Sequence, residues 1–149
     1  MERLRNFFDR DTAFNPDARA QLEKEGYSIY HLTGQSMEMM VHSGRVHNSE
    51  SFLQFGRKYT KVWKLKSMRT EVAFKANEFF LDKNAKSFRQ HQELIDRFSR
   101  DISNSIEDVQ VVRGSVADYM ELSLSYMETT GNTLLRSVFD SILTSTFFI

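Results

Sequence analysis

A chain of 149 residues has the size of one domain and can bury roughly 68 to 70% of its unfolded surface. Its 40% hydrophobic content and thirteen phenylalanines supply core that a disordered chain lacks, and the absence of cysteine excludes disulfides, thiolate metal sites and cysteine nucleophiles. Twenty basic and twenty acidic side chains cancel, so no global field draws the protein toward nucleic acid or lipid.

No strictly apolar run exceeds three residues, far short of a membrane span. The start, Met1 to Asn6, mixes both charge signs where a secretory signal needs a basic stretch and then an apolar one. These features predict a soluble single domain over 1–149 in a reducing, cytoplasmic compartment. Charge is uneven along the chain, with twelve Lys or Arg against eight Asp or Glu in residues 1–70 and eight against twelve in 71–149.

In chain order, Leu4, Phe7 and Phe8 mark a short amphipathic helix. Asn15-Pro16-Asp17 combines a cap, a first-turn proline and an acid at the positive dipole end, predicting a helix from Pro16 to about Glu25 that stops at Gly26. Tyr27 to Leu32 is aromatic and β-branched enough for a short strand. Thr33-Gly34-Gln35-Ser36 makes a turn, after which Met37, Met40 and Val41 share a helical face until Ser43-Gly44. Phe52, Phe55, Tyr59 and Val62 are spaced three, four and three apart, predicting a helix buried along one stripe that continues to about Lys66.

Glu71 to Phe74 reads as a strand leading to Phe79-Phe80-Leu81, with a turn at Asp82-Lys83-Asn84. Ser87 and Gln90 form a capping box for a helix whose apolar face carries Phe88, Leu94, Ile95, Phe98, Ile102 and Ile106. Val109 to Val112 is strand-like. Met120, Leu122, Leu124 and Tyr126 alternate with Glu121, Ser123 and Ser125, which predicts a second strand pairing with the first across the loop Gly114 to Asp118. In the competing reading, Ser115 with Asp118 begins a helix through a capping box; the alternation favours strand. Leu135, Val138, Phe139, Ile142 and Leu143 return to helical spacing after Gly131. The expected fold is α+β, a small, mostly antiparallel sheet of about four strands packed against several amphipathic helices.

Three places carry candidate chemistry. From Arg57 to Arg69, the cations Arg57, Lys58, Lys61, Lys64, Lys66 and Arg69 stand beside Tyr59 and Trp63 with no acid between them. Cations neutralise phosphates and rings stack on bases, so the segment is a candidate for nucleic acid or another polyanion, set against the plain reading of a solvated charged face. At Thr33, Gly34, Gln35 and Ser36, free amides at a helix start are a candidate for a small anionic ligand or an enzyme site, set against ordinary capping by Thr33 or Ser36. Arg45, on a helix of about nine residues, lies roughly 13 Å along the axis and is not expected to complete that site. At the end, Phe147, Phe148 and Ile149 are candidates for an interface. They can pack on the protein's own core, join a neighbouring subunit, enter a partner's carboxylate-binding groove, or be covered by residues following in a longer chain.

His31, His42, His47 and His91 have no metal-ligand spacing, and no cofactor is implied. The carboxylates Glu71, Glu78, Asp118, Glu121 and Glu128 form no catalytic pattern, and Glu121 is expected on the solvent face of its strand. The sequence reading is therefore a protein-binding or self-assembly domain that uses apolar helical surface and the C-terminal aromatics, with a protein partner or a second copy and no membrane. Polyanion binding through 57–69 is the alternative, and a ligand site at 33–36 the second alternative.

Overall fold

Helix α1 (Pro16–Lys24) forms where its cap dictates: the Asn15 side chain accepts from the Ala18 amide at 2.8 Å, with Pro16 in the first turn. The computed structural model describes residues 12–46, 49–74, 88–106, 109, 111–132 and 147–148. The expected elements at Leu4 to Phe8, Phe79 to Leu81 and Leu135 to Leu143 lie outside these residues, as does Ile149. Among the described residues there are six helices: α1, α2 (Met37–His42), α3 (Ser49–Lys58), α4 (Thr60–Lys64), α5 (Phe88–Ser105) and α6 (Val116–Thr130). Strand β1 (Ser28–Thr33) pairs with β2 (Arg69–Phe74), and β3 (Val112–Arg113) with β4 (Phe147–Phe148). The fold is α+β; among the described residues it has two separate two-stranded pairings, and the expected sheet of about four strands is not seen among them.

The described residues fall into two compact units. The unit holding 13–30, 71–74, 88–106, 109, 111–114 and 147–148 is centred on Ala18, Leu22, Ala73, Ile102, Ile106, Val109 and Val111, with Phe14, Tyr27, Ile29 and Phe98 packed around them. Ala18 and Leu22 are one turn apart on α1, as Phe98 and Ile102 are on α5, so each helix turns a stripe inward. Tyr30 and Phe74 add a ring contact at 5.5 Å between centroids. Glu71 accepts from the Phe14 amide at 3.1 Å and pairs with Arg19 of α1. In β3 and β4, Val112 faces Phe148 and Arg113 faces Phe147, antiparallel.

The unit holding 12, 31–46, 49–70 and 115–132 packs Met37, Val41 and Trp63 against Val46, Phe52, Leu53, Phe55, Val62, Val116 and Met120. The single helix expected from Phe52 to Lys66 is two. It breaks at Tyr59 (φ −123°, ψ 62°), and Trp63 folds back on Gly56, where even a Cβ would lie 2.5 Å from the indole. Glycine in α3 thus permits a ring-on-backbone contact that a continuous helix forbids.

The strand expected over 120–126 is instead α6. The capping box of the competing reading is present, with Ser115 Oγ accepting from the Asp118 amide at 3.3 Å and Asp118 Oδ2 accepting from the Ser115 amide at 2.6 Å. Alternation over seven residues also contains two helical pairs four apart, Met120 with Leu124 and Leu122 with Tyr126. No β-branched residue occurs from Ala117 to Met127 to favour the extended form. The pairing expected between Val109–Val112 and that strand is accordingly absent. No helix among the described residues is long and apolar enough to cross a membrane.

Candidate functional site

The turn from Thr33 to Ser36 holds an anion, and that anion belongs to the chain. Helix α6 presents Asp118 and Glu121 on one face, and both are buried. Glu121 accepts from the Thr33 amide at 2.9 and 3.1 Å, from the Thr33 hydroxyl at 2.9 Å, and from the Ser67 hydroxyl. Ser67 Oγ in turn accepts from the Gln35 amide at 3.0 Å, and the Gly34 amide donates to the Met68 carbonyl at 3.3 Å. Three successive amides of the turn are therefore spent within the protein, and Ser36 caps α2 by accepting from the Met39 amide at 3.1 Å. Gly34 is needed on two counts: its φ is +76°, and a Cβ would lie 2.9 Å from Cγ of Arg69.

Asp118 accepts from the Met68 and Ser115 amides, each at 2.6 Å. Burial pushes its carboxyl above the ordinary range; the two amides and the Ser115 hydroxyl pull it back, and the nearby Glu121 charge adds to the rise. Glu121 thus sits at the inner end of a brace, contrary to the solvent-facing strand position expected for it. The signal that locates it is the Ser115–Asp118 capping box, which puts residues three and four apart on one helical face.

Arg45 does reach the turn. Helix α2 ends at His42, six residues long, and Gly44 at φ +80° reverses the chain, so the axial distance along a nine-residue helix does not apply. Arg45 donates to Gln35 Oε1 at 2.9 Å, to Ser125 Oγ at 3.3 Å, and to both oxygens of Glu128 at 2.8 and 3.1 Å. Gln35 Nε2 passes the chain on to Thr33 Oγ1 at 3.1 Å. The turn, Arg45 beyond the end of α2, and α6 are thereby tied in one polar network.

The basic segment is arranged differently. Trp63 is buried at 6% exposure and belongs to the core, so it is not available for stacking. Arg57, Lys58, Lys61, Lys64, Lys66 and Arg69 are all exposed. The stem of Arg69 lies over Gly34, whereas Arg57, Lys58, Lys61, Lys64 and Lys66 have no carboxylate partner among the described residues. Lys61 and Lys64 share the outer face of α4, opposite Val62 and Trp63. Tyr59 remains 46% exposed, its ring 4.8 Å from Phe55 and 5.4 Å from the Lys58 ammonium. Leu65, at 49%, is the other large exposed apolar side chain here.

Phe147 and Phe148 spend backbone groups on β3 of their own chain. His31 and His42 are exposed, and among the described residues no three His, Asp or Glu side chains converge as metal ligands. No protein-family model matches this chain, and comparison with curated proteins and with solved structures yields no match either.

Proposed function

We propose that the chain is a binding module that holds a phosphate-rich polyanion on the segment from Arg57 to Lys66. One observation carries this reading. Five exposed cations within ten residues have no ion-pair partner among the described residues, while Arg19 and Arg45 elsewhere are paired with Glu71 and Glu128. Unpaired cations set close together repel one another, and a polyanion relieves that repulsion while releasing its own counterions. The turn at 33–36 supports a ligand reading less well, because its amides already hold Glu121, Ser67 and Met68.

The test is binding of fluorescently labelled long-chain inorganic polyphosphate at about 50 mM and 200 mM salt. The native chain should bind at the lower concentration and lose most of its affinity at the higher. The Lys61→Glu, Lys64→Glu, Lys66→Glu triple variant should not bind at either. Binding that survives the triple change, or is indifferent to salt, rejects the reading.

A second reading, contact with protein or with another copy of the chain, is favoured by the exposure of Met39 at 46% and Leu65 at 49%. Light scattering across a concentration series tests self-association, with Met39→Ser and Leu65→Ser expected to lower any oligomer mass. An unchanged mass excludes these two side chains from the interface.

A further inference from the structure

We infer that the polyanion is a single-stranded nucleic acid, and that Tyr59 is the platform on which one of its bases stacks. The inference rests on the polyanion reading above and deepens it.

Tyr59 stands at the break between α3 and α4, its backbone out of the helical region and its amide donating to the Phe55 carbonyl at 2.8 Å. Its ring leans on Phe55 at an interplanar angle of 41°, which fixes its position without burying it. Trp63, four residues later, is 6% exposed where Tyr59 is 46%. The Tyr59 phenol makes no hydrogen bond to a described residue. An aromatic surface is thus left in water at the centre of the cations, with Lys58 against it and Lys61 two residues on.

The face of such a ring adds nothing to binding a bare phosphate chain, which takes only charge and, from Tyr59, the hydrogen bond of its phenol. It gains only from a ligand with π-faces of its own, where stacking contributes in addition to charge. A duplex keeps those faces inside its stack and is read by an element that enters a groove. Here the cations straddle a helix break. The exposed cations are divided by that break, Arg57 and Lys58 on the last turn of α3 and Lys61 and Lys64 on the five-residue α4, so no single helix presents them together to a groove. A single strand presents phosphates and unstacked bases together, and Lys61 and Lys64, about 4.5 Å apart along the helix axis, can follow its backbone.

The test measures fluorescence anisotropy of the full chain with three probes: a labelled oligothymidylate of about fifteen nucleotides, a duplex of the same length, and inorganic polyphosphate. The single strand should bind more tightly than the duplex. Tyr59→Leu keeps an apolar body against Phe55 but has no π-face. Measured against Tyr59→Phe, which lacks the same hydroxyl but keeps the ring, it should weaken oligothymidylate binding about tenfold and leave polyphosphate binding unchanged, while Tyr59→Trp should retain both. Duplex binding as tight as single-strand binding overturns the inference, as does a Tyr59→Leu effect that is nil or equal for both probes. If polyphosphate binds and the single strand shows no preference, only this inference fails; if nothing binds, the polyanion reading fails with it.

Discussion

Removing the Glu121 carboxylate should unfasten the unit that contains it, because Glu121 is 1% exposed and is the acceptor for three donors that lie far away in sequence. Glu121→Ala deletes charge-assisted hydrogen bonds whose loss costs about 1.5 to 3 kcal/mol each when the donors stay dry. Two effects reduce that sum. The Ser67 hydroxyl has a second acceptor in the Met68 carbonyl at 3.3 Å, and Thr33 lies where water can reach it. Removing one of two neighbouring buried carboxylates also relieves Asp118. We expect a net loss of about 2 to 4 kcal/mol for alanine and roughly half of that for Glu121→Gln, which keeps one acceptor oxygen.

The assay is urea unfolding followed by tryptophan fluorescence. Trp63 is the only tryptophan in the chain, it is buried, and it belongs to the same unit as Glu121. With a slope of about 1 to 3 kcal/mol per molar urea, the alanine midpoint should fall by roughly 0.7 to 4 M. Glu93→Ala, on the exposed side of α5, serves as the control that should leave it in place. A Glu121→Ala midpoint within error of that control, or a larger loss for Gln than for Ala, refutes the bracing role.

The Asp118 carboxyl is raised by burial above its ordinary 3.8. Its titration therefore contributes stability that is fully present below the unfolded value and is lost as pH rises through the folded one. Relative to Asp118→Asn, the native chain should gain stability as pH falls from neutral toward about 4; a relative loss over that window in the same fluorescence assay contradicts the assignment. Gly56→Ala should place a methyl where the Trp63 ring lies, at 2.5 Å. Overpacking of this kind costs about 1 to 3 kcal/mol, with a red shift of Trp63 emission as the indole is pushed toward water; unchanged stability and emission would mean that α3 and α4 are not held by this contact.

Where the causes are local, the chain is legible from its residues. Asn15-Pro16 starts α1 because the cap and its amide are three residues apart, and α2 and α5 follow from apolar stripes at helical spacing. The strands at Ser28–Thr33 and Arg69–Phe74 show in their aromatic and β-branched content. Over residues 116–130 local spacing does not decide. Alternation over 120–126 fits a strand and two helical pairs equally, and the capping box at Ser115 decides for helix once its geometry is formed.

The exposed cations of 57–66 were likewise visible from sequence, because charge is a property of the residue itself. Which ring among them stays in water was not. Tyr59 falls on the same apolar spacing as Phe55 and Val62, and only the chain break that seats Trp63 on Gly56 leaves Tyr59 outside. Helix formation placed Glu121 on an inward face, but its partners Thr33 and Ser67 are 88 and 54 residues away. Arg45 meets Gln35 because the chain reverses at Gly44. Local propensity acts over a few residues through backbone sterics and near hydrogen bonds, and it settled where the helices at Pro16 and Met37 begin. Burial of a charge depends on donors brought together by folding, so the role of Glu121 was decided by tertiary structure alone.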